Sequence, residues 1–107
     1  YFFSKNLSNM SIEQKLNEIM THKYGTDLFT RMQKLSEEYT ETIEAFNEMK
    51  EKHCGNTHLK DEISDMLVVL SHIAFCLGTD IESLLLQGYT KIVIREHNPN
   101  YLKDEKK

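Results

Sequence analysis

Apolar positions recur at steps of three and four along most of the chain, and no segment reads as a strand pair. The longest run is Leu28, Met32, Leu35, Tyr39, Ile43, Phe46 and Met49. It predicts one helix over about 28–52, closed by Cys54-Gly55-Asn56. Upstream, Ser11-Ile12-Glu13-Gln14 has the form of a capping box and opens a shorter helix over about 11–22. Tyr24-Gly25-Thr26-Asp27 is turn chemistry, with Thr26 or Asp27 as the next N-cap. A third helix is predicted over about 58–77, stopping at Gly78, a residue suited to the position after a helix end. Its second half, Met66 to Phe75, is apolar on nearly every side, which predicts burial on most sides. The element is too long, and too poor in turn residues, for a strand. Thr79-Asp80-Ile81-Glu82 has the form of a second capping box, opening a fourth helix over about 80–97 that halts before Pro99. Lys103 to Lys107 is a charged, frayed tail.

These elements make a single all-α domain over residues 1–107, read as an antiparallel four-helix bundle. A chain of 107 residues buries only a moderate core. With an apolar third helix to cover as well, it predicts completion by oligomerisation, most simply a dimer. The net charge of −4 argues against non-specific nucleic-acid binding. Cys54 and Cys76 lack metal-type spacing and fit a reducing compartment better than a disulfide scaffold. No apolar run approaches the roughly 20 residues that span a bilayer. Tyr1 to Leu7 is too short and too polar for a signal peptide, so the expected location is cytoplasmic, with no membrane partner.

The acidic residues change the picture. Glu37-Glu38-x-x-Glu41 lies on the second predicted helix and Glu62-x-x-Asp65 on the third. Residues three or four apart share a helix face, so each cluster presents a pair of carboxylates in one direction. Antiparallel packing would bring four together, and oxygen ligands of that kind suit Mg²⁺ or Mn²⁺. Chance also makes such pairs in a helical chain with 17 acidic residues. Position on the helical wheel separates the cases. Glu37, Glu44 and Glu48 fall opposite the apolar stripe, on a solvated face. Glu38 falls at the edge of the stripe, with Glu41 one step further out. On the third helix Glu62 and Asp65 border the stripe Leu59, Ile63, Met66, Leu70 and Leu77. Charges set against apolar surface need a partner or a metal. The wheel alone leaves two readings, a metal site and a half-exposed acidic rim. The Glu-x-x-His pairs of di-iron bundles are absent, and the five histidines share no ligand-like spacing.

Lys91 and Arg95 share a face of the fourth helix, one turn beyond Gly88. They read as a solubilising edge or, beside a carboxylate-metal site, as cations for a phosphate chain.

The order Lys34-Leu35-Ser36-Glu37-Glu38-Tyr39-Thr40-Glu41, then Asp61-Glu62-Ile63-Ser64-Asp65-Met66-Leu67, resembles the signature of the MazG-like all-α nucleoside triphosphate pyrophosphohydrolases. Gly78-Thr79-Asp80-Ile81-Glu82, Lys91-x-x-x-Arg95 and His97-Asn98-Pro99-Asn100-Tyr101 continue the similarity, from about Phe29 to Tyr101. Family members often carry Asn shortly before the Lys, where this chain has Gly88, Tyr89 and Thr90. The resemblance implies that Glu38, Glu41, Glu62 and Asp65 hold Mg²⁺, with Glu37 supporting the site or a second ion. It implies attack of a metal-bound water on the α-phosphate of a (d)NTP. Pyrophosphate would leave under the charge of Lys91 and Arg95. A phosphoribosyl-ATP pyrophosphohydrolase-like enzyme has similar acidic motifs, and a non-enzymatic helical oligomerisation or regulatory module is the other class. Phe29, Tyr24 and His22 are the residues able to stack on a base, although core or surface roles fit them better.

Overall fold

The computed structural model describes residues 9–98. It has four helices and, among those residues, no strand: α1 (Ile12–Tyr24), α2 (Leu28–Lys52), α3 (Thr57–Cys76) and α4 (Ile81–His97). The readings of Tyr1 to Leu7 and of the tail Lys103 to Lys107 lie outside the described residues. At α1 the capping box forms as the sequence predicts. Ser11 Oγ accepts from Gln14 N–H at 3.1 Å, and Gln14 Oε1 accepts from Ser11 N–H at 2.9 Å. Gly25, at φ 72°, ends α1, and Asp27 becomes the N-cap of α2. Gly78, at φ 80°, turns the chain out of α3. The start of α4 differs by one residue from the expected box. Thr79 N–H is engaged with Ala74 O at 2.9 Å in closing α3. Asp80 therefore takes the cap, its Oδ1 accepting from Ser83 N–H at 2.8 Å. With serine three positions on, no reciprocal box closes.

Helices α2 and α3 lie side by side, antiparallel across a short connection, and form the main packing of the chain. Thr42 Oγ1 reaches Glu62 O at 3.4 Å, fixing the register. The face of α2 that this packing buries is Arg31, Glu38 and Ala45, one residue every two turns. The apolar stripe expected to face the core is instead largely uncovered: Tyr39 is 57% exposed and Met32 49%. Hydrophobicity alone puts the wrong stripe inward, because the inward face here is made of small and polar residues. On α3 the buried stretch is Val69 together with Ser71 to Ala74, while Leu67 and Phe75 remain exposed.

α1 crosses the second half of α3. Asn17 Nδ2 donates to Ser71 Oγ at 3.2 Å, and Thr21 Oγ1 meets His72 Nε2 at 3.0 Å. α4 leaves α3 through a 92° elbow and buries none of its residues. Glu13 holds that elbow. Its Oε2 accepts from Ser71 Oγ and from Ile81 N–H, both at 2.9 Å, which ties α1 to α3 and to the first turn of α4. An anion at a helix N-terminus is favoured by the free amides there.

Three helices thus pack and the fourth stands out, so one chain does not close a four-helix bundle. The buried apolar residues among those described are only Ala45, Val69, Ile73 and Ala74. The radius of gyration is 17.5 Å, against about 13 Å for a compact chain of this length. No single helix among the described residues is long and apolar enough to cross a membrane.

Candidate functional site

The α2–α3 register sets the two acidic motifs against each other. Carboxylate oxygens of Glu38, Glu41 and Glu62 come within 4.8 Å of one another, and so do those of Asp61, Glu62 and Asp65. Glu62 belongs to both groups. The side chain of Glu38 is 7% exposed and that of Glu62 13%. Glu41 and Asp65 are exposed. Of the five carboxylates in these two groups, Glu38 and Glu62, from facing helices, are buried, and Glu41, Asp61 and Asp65 are open. Glu37 lies outside it, 64% exposed and paired with Lys34 at 3.6 Å.

The electrostatics are those of crowded anions. Burial, then Glu41, then Asp65 raise the Glu38 carboxyl above its ordinary value, and Lys34, 3.9 Å away, opposes them. Burial, Glu41 and Asp65 also raise Glu62, opposed by His58, whose Nε2 is 3.8 Å away. Glu62 Oε2 is buried and has no hydrogen-bond partner. An uncompensated buried carboxylate oxygen is costly, and a cation among these groups relieves that cost and the mutual repulsion. All donors are carboxylate oxygens, a set that suits Mg²⁺ or Mn²⁺ rather than zinc or copper. The residues present fit such an ion.

The basic pair is placed differently. At 1.5 Å per residue, Asp65 to the end of α3 and the start of α4 to Lys91 are each roughly 15 Å. Across the 92° elbow, Lys91 and the acids of the same chain stand roughly 20 Å apart. The structure brings Glu38 and Glu41 to Glu62, and Asp65 to Glu62 in a second group, and does not bring Lys91 or Arg95 to them. A side chain added at Gly88 would meet nothing within 4 Å, so that face of α4 is open.

Four residues near the site were not singled out from sequence. Lys34 and His58 stand four residues before Glu38 and Glu62 on the same helix faces, a spacing that could have flagged them. Asp61 adjoins Glu62 and joins its group. Arg31 is buried at 5% exposure and sits seven residues before Glu38, on the same face. A lone arginine in a polar stretch gives no signal for that. Of the residues considered for stacking, Phe29 is 69% exposed and Tyr24 lies over the Arg31 guanidinium at 4.7 Å. No protein-family model, no curated protein and no solved structure matches this chain.

Proposed function

We propose that the protein is a Mg²⁺-dependent nucleoside triphosphate pyrophosphohydrolase that cleaves a (d)NTP to the monophosphate and pyrophosphate. The observation that carries the reading is the meeting of Glu38 and Glu41 with Glu62 across the α2–α3 seam, with a buried Glu62 oxygen left without a partner. The similarity of the two acidic motifs to those of the MazG-like enzymes supports it.

In this reading Glu38, Glu41, Glu62 and Asp65 hold Mg²⁺. Glu37, outside the cluster, supports it through Lys34, which it shares with Glu38. The bound ion supplies a polarised α-phosphate and a water of lowered pKa. The chain's own residues position. Glu38 and Glu62 fix the ligand set from two helices, so it needs little reorganisation on binding. Glu41 and Asp65, at the open side, are placed to accept a proton from the attacking water. Lys91 and Arg95 neutralise the departing pyrophosphate. Because they stand far from the acids of their own chain, a second copy contributes them. The site is then shared within a homo-oligomer, most simply a dimer. Location in the cytoplasm fits a nucleotide substrate and two free cysteines.

One observation favours a second reading, a helical oligomerisation module without catalysis. α4 exposes Leu85, Leu86, Tyr89 and Ile92, each more than half. A panel of NTPs and dNTPs incubated with Mg²⁺ and analysed for products separates the two. Pyrophosphate and a monophosphate from at least one nucleotide are expected. Orthophosphate and a diphosphate would place the attack at another phosphorus, and no turnover of any nucleotide would leave the module.

A further inference from the structure

The apolar stripe left uncovered on α2 is symmetric about Tyr39. Leu35 and Ile43 stand four residues on either side of it, Met32 and Phe46 seven, and Leu28 and Lys50 eleven. Offsets of four, seven and eleven keep to one helix face. All of these except Leu35 are exposed, and Tyr39 is 57% exposed. The rim on the side away from α3 is Gln33, Ser36, Thr40 and Asn47, exposed and uncharged. The charges at the two ends of the stripe are of opposite sign. Asp27 is the N-cap of α2, and Lys50 Nζ lies 5.4 Å from the centre of the Phe46 ring. Among the described residues neither is ion-paired.

We propose that this stripe is the contact between two copies of the chain, with α2 antiparallel to the partner's α2 and the two-fold axis at Tyr39. A two-fold contact needs a surface that complements itself. Antiparallel pairing about Tyr39 sets Leu35 against the partner's Ile43 and Met32 against the partner's Phe46, each of them twice. Tyr39 meets its own counterpart on the axis. At both ends Lys50 comes to the partner's Leu28 and Asp27, so an unpaired cation gains an anion. The uncharged rim sets no like charges against each other. Self-pairing along α4 fails the same test. Glu82 and Glu96 stand seven residues on either side of Tyr89, within the exposed stripe of that helix, and would meet across an axis there. The paired stretch of α2, Leu28 to Lys50, is roughly 33 Å long. The pairing rests on the stripe and its symmetry; only its use in completing the acid site rests on the pyrophosphohydrolase reading.

The test is sedimentation of the full chain across micromolar concentrations, with circular dichroism to check that each variant keeps its helices. Wild type should sediment as a dimer. Tyr39→Glu places two carboxylates on the axis and should weaken dimerisation at least about a hundredfold. Leu67→Glu puts the same charge at an apolar position of α3 that is 53% exposed, and should sediment as wild type. Lys50→Glu should weaken the dimer by setting like charges together at both ends. Adding Asp27→Lys to it should restore the dimer, although that change also removes the N-cap of α2. Sedimentation reads the contact and not nucleotide turnover, so failure here would leave the reading of the acids standing. A monomeric wild type, a dimer that survives Tyr39→Glu, or one lost in Leu67→Glu alone would overturn the proposal.

Discussion

At the scale of single residues, burial ranks the carboxylates more sharply than charge does. Glu38 and Glu62 are nearly closed to solvent beside Glu41 and Asp65, while Glu44 is exposed. Glu38→Gln and Glu62→Gln should each lower kcat at least about a hundredfold, and Glu44→Gln should leave it unchanged. Steady-state kinetics on the three variants checks this. The raised carboxyls also set a pH dependence. The folded protein keeps these two protons to higher pH than the unfolded chain does. Their stabilising contribution is thus full below the ordinary value of 4.5 and is lost as pH rises through the raised values. In EDTA, Glu38→Gln and Glu62→Gln should gain stability relative to wild type as pH rises from about 4.5 towards neutrality. Melting curves across that range would refute this if the variants tracked wild type.

At the scale of helices, caps and connections carry the architecture, and most of them were legible. Ser11-x-x-Gln14, Gly78 and the long period of α2 are local signals, set by backbone chemistry within a few residues. The expected Thr79 cap moved to Asp80 because Thr79 N–H was already engaged with Ala74. The facing of α2 was legible only in part: the wheel set Glu38 at the edge of the stripe, and it is buried with Glu41 exposed beyond it, but Arg31 and Ala45 pack inward beside it while the apolar stripe stays largely uncovered. Nor could periodicity show the 92° elbow, because Glu13, 68 residues before Ile81, holds it. Ser11→Ala should cost about 1 kcal/mol of stability by removing the cap. Glu13→Ala should leave metal affinity intact but lower turnover, since it frees the helix that carries Lys91 and Arg95. Mn²⁺ titration and kcat/KM on that variant separate the effects, and unchanged turnover would count against a role for the elbow.

At the scale of the whole molecule, two facts point the same way. Among the described residues few apolar side chains are buried, and the cations expected at the phosphate chain stand far from the acids. The proposed second copy would resolve both, by covering the exposed faces of α2 and α4 and completing the site. Thermal stability should then depend on protein concentration. A stable monomer at micromolar concentration, seen by sedimentation, would contradict it. The central claim remains that the α2–α3 carboxylates are a metal site. Its most direct measurement is the melting of wild type and Glu62→Gln in EDTA and in Mg²⁺. Metal that binds only the folded chain stabilises it by RT ln(1 + [M]/Kd), about 2.7 kcal/mol at a hundredfold excess over Kd. Wild type should gain that stability on adding Mg²⁺. Glu62→Gln should melt at or above wild type in EDTA and gain much less from the metal. Curves that shift equally for both proteins, or for neither, would mean that these acids are a solvated rim.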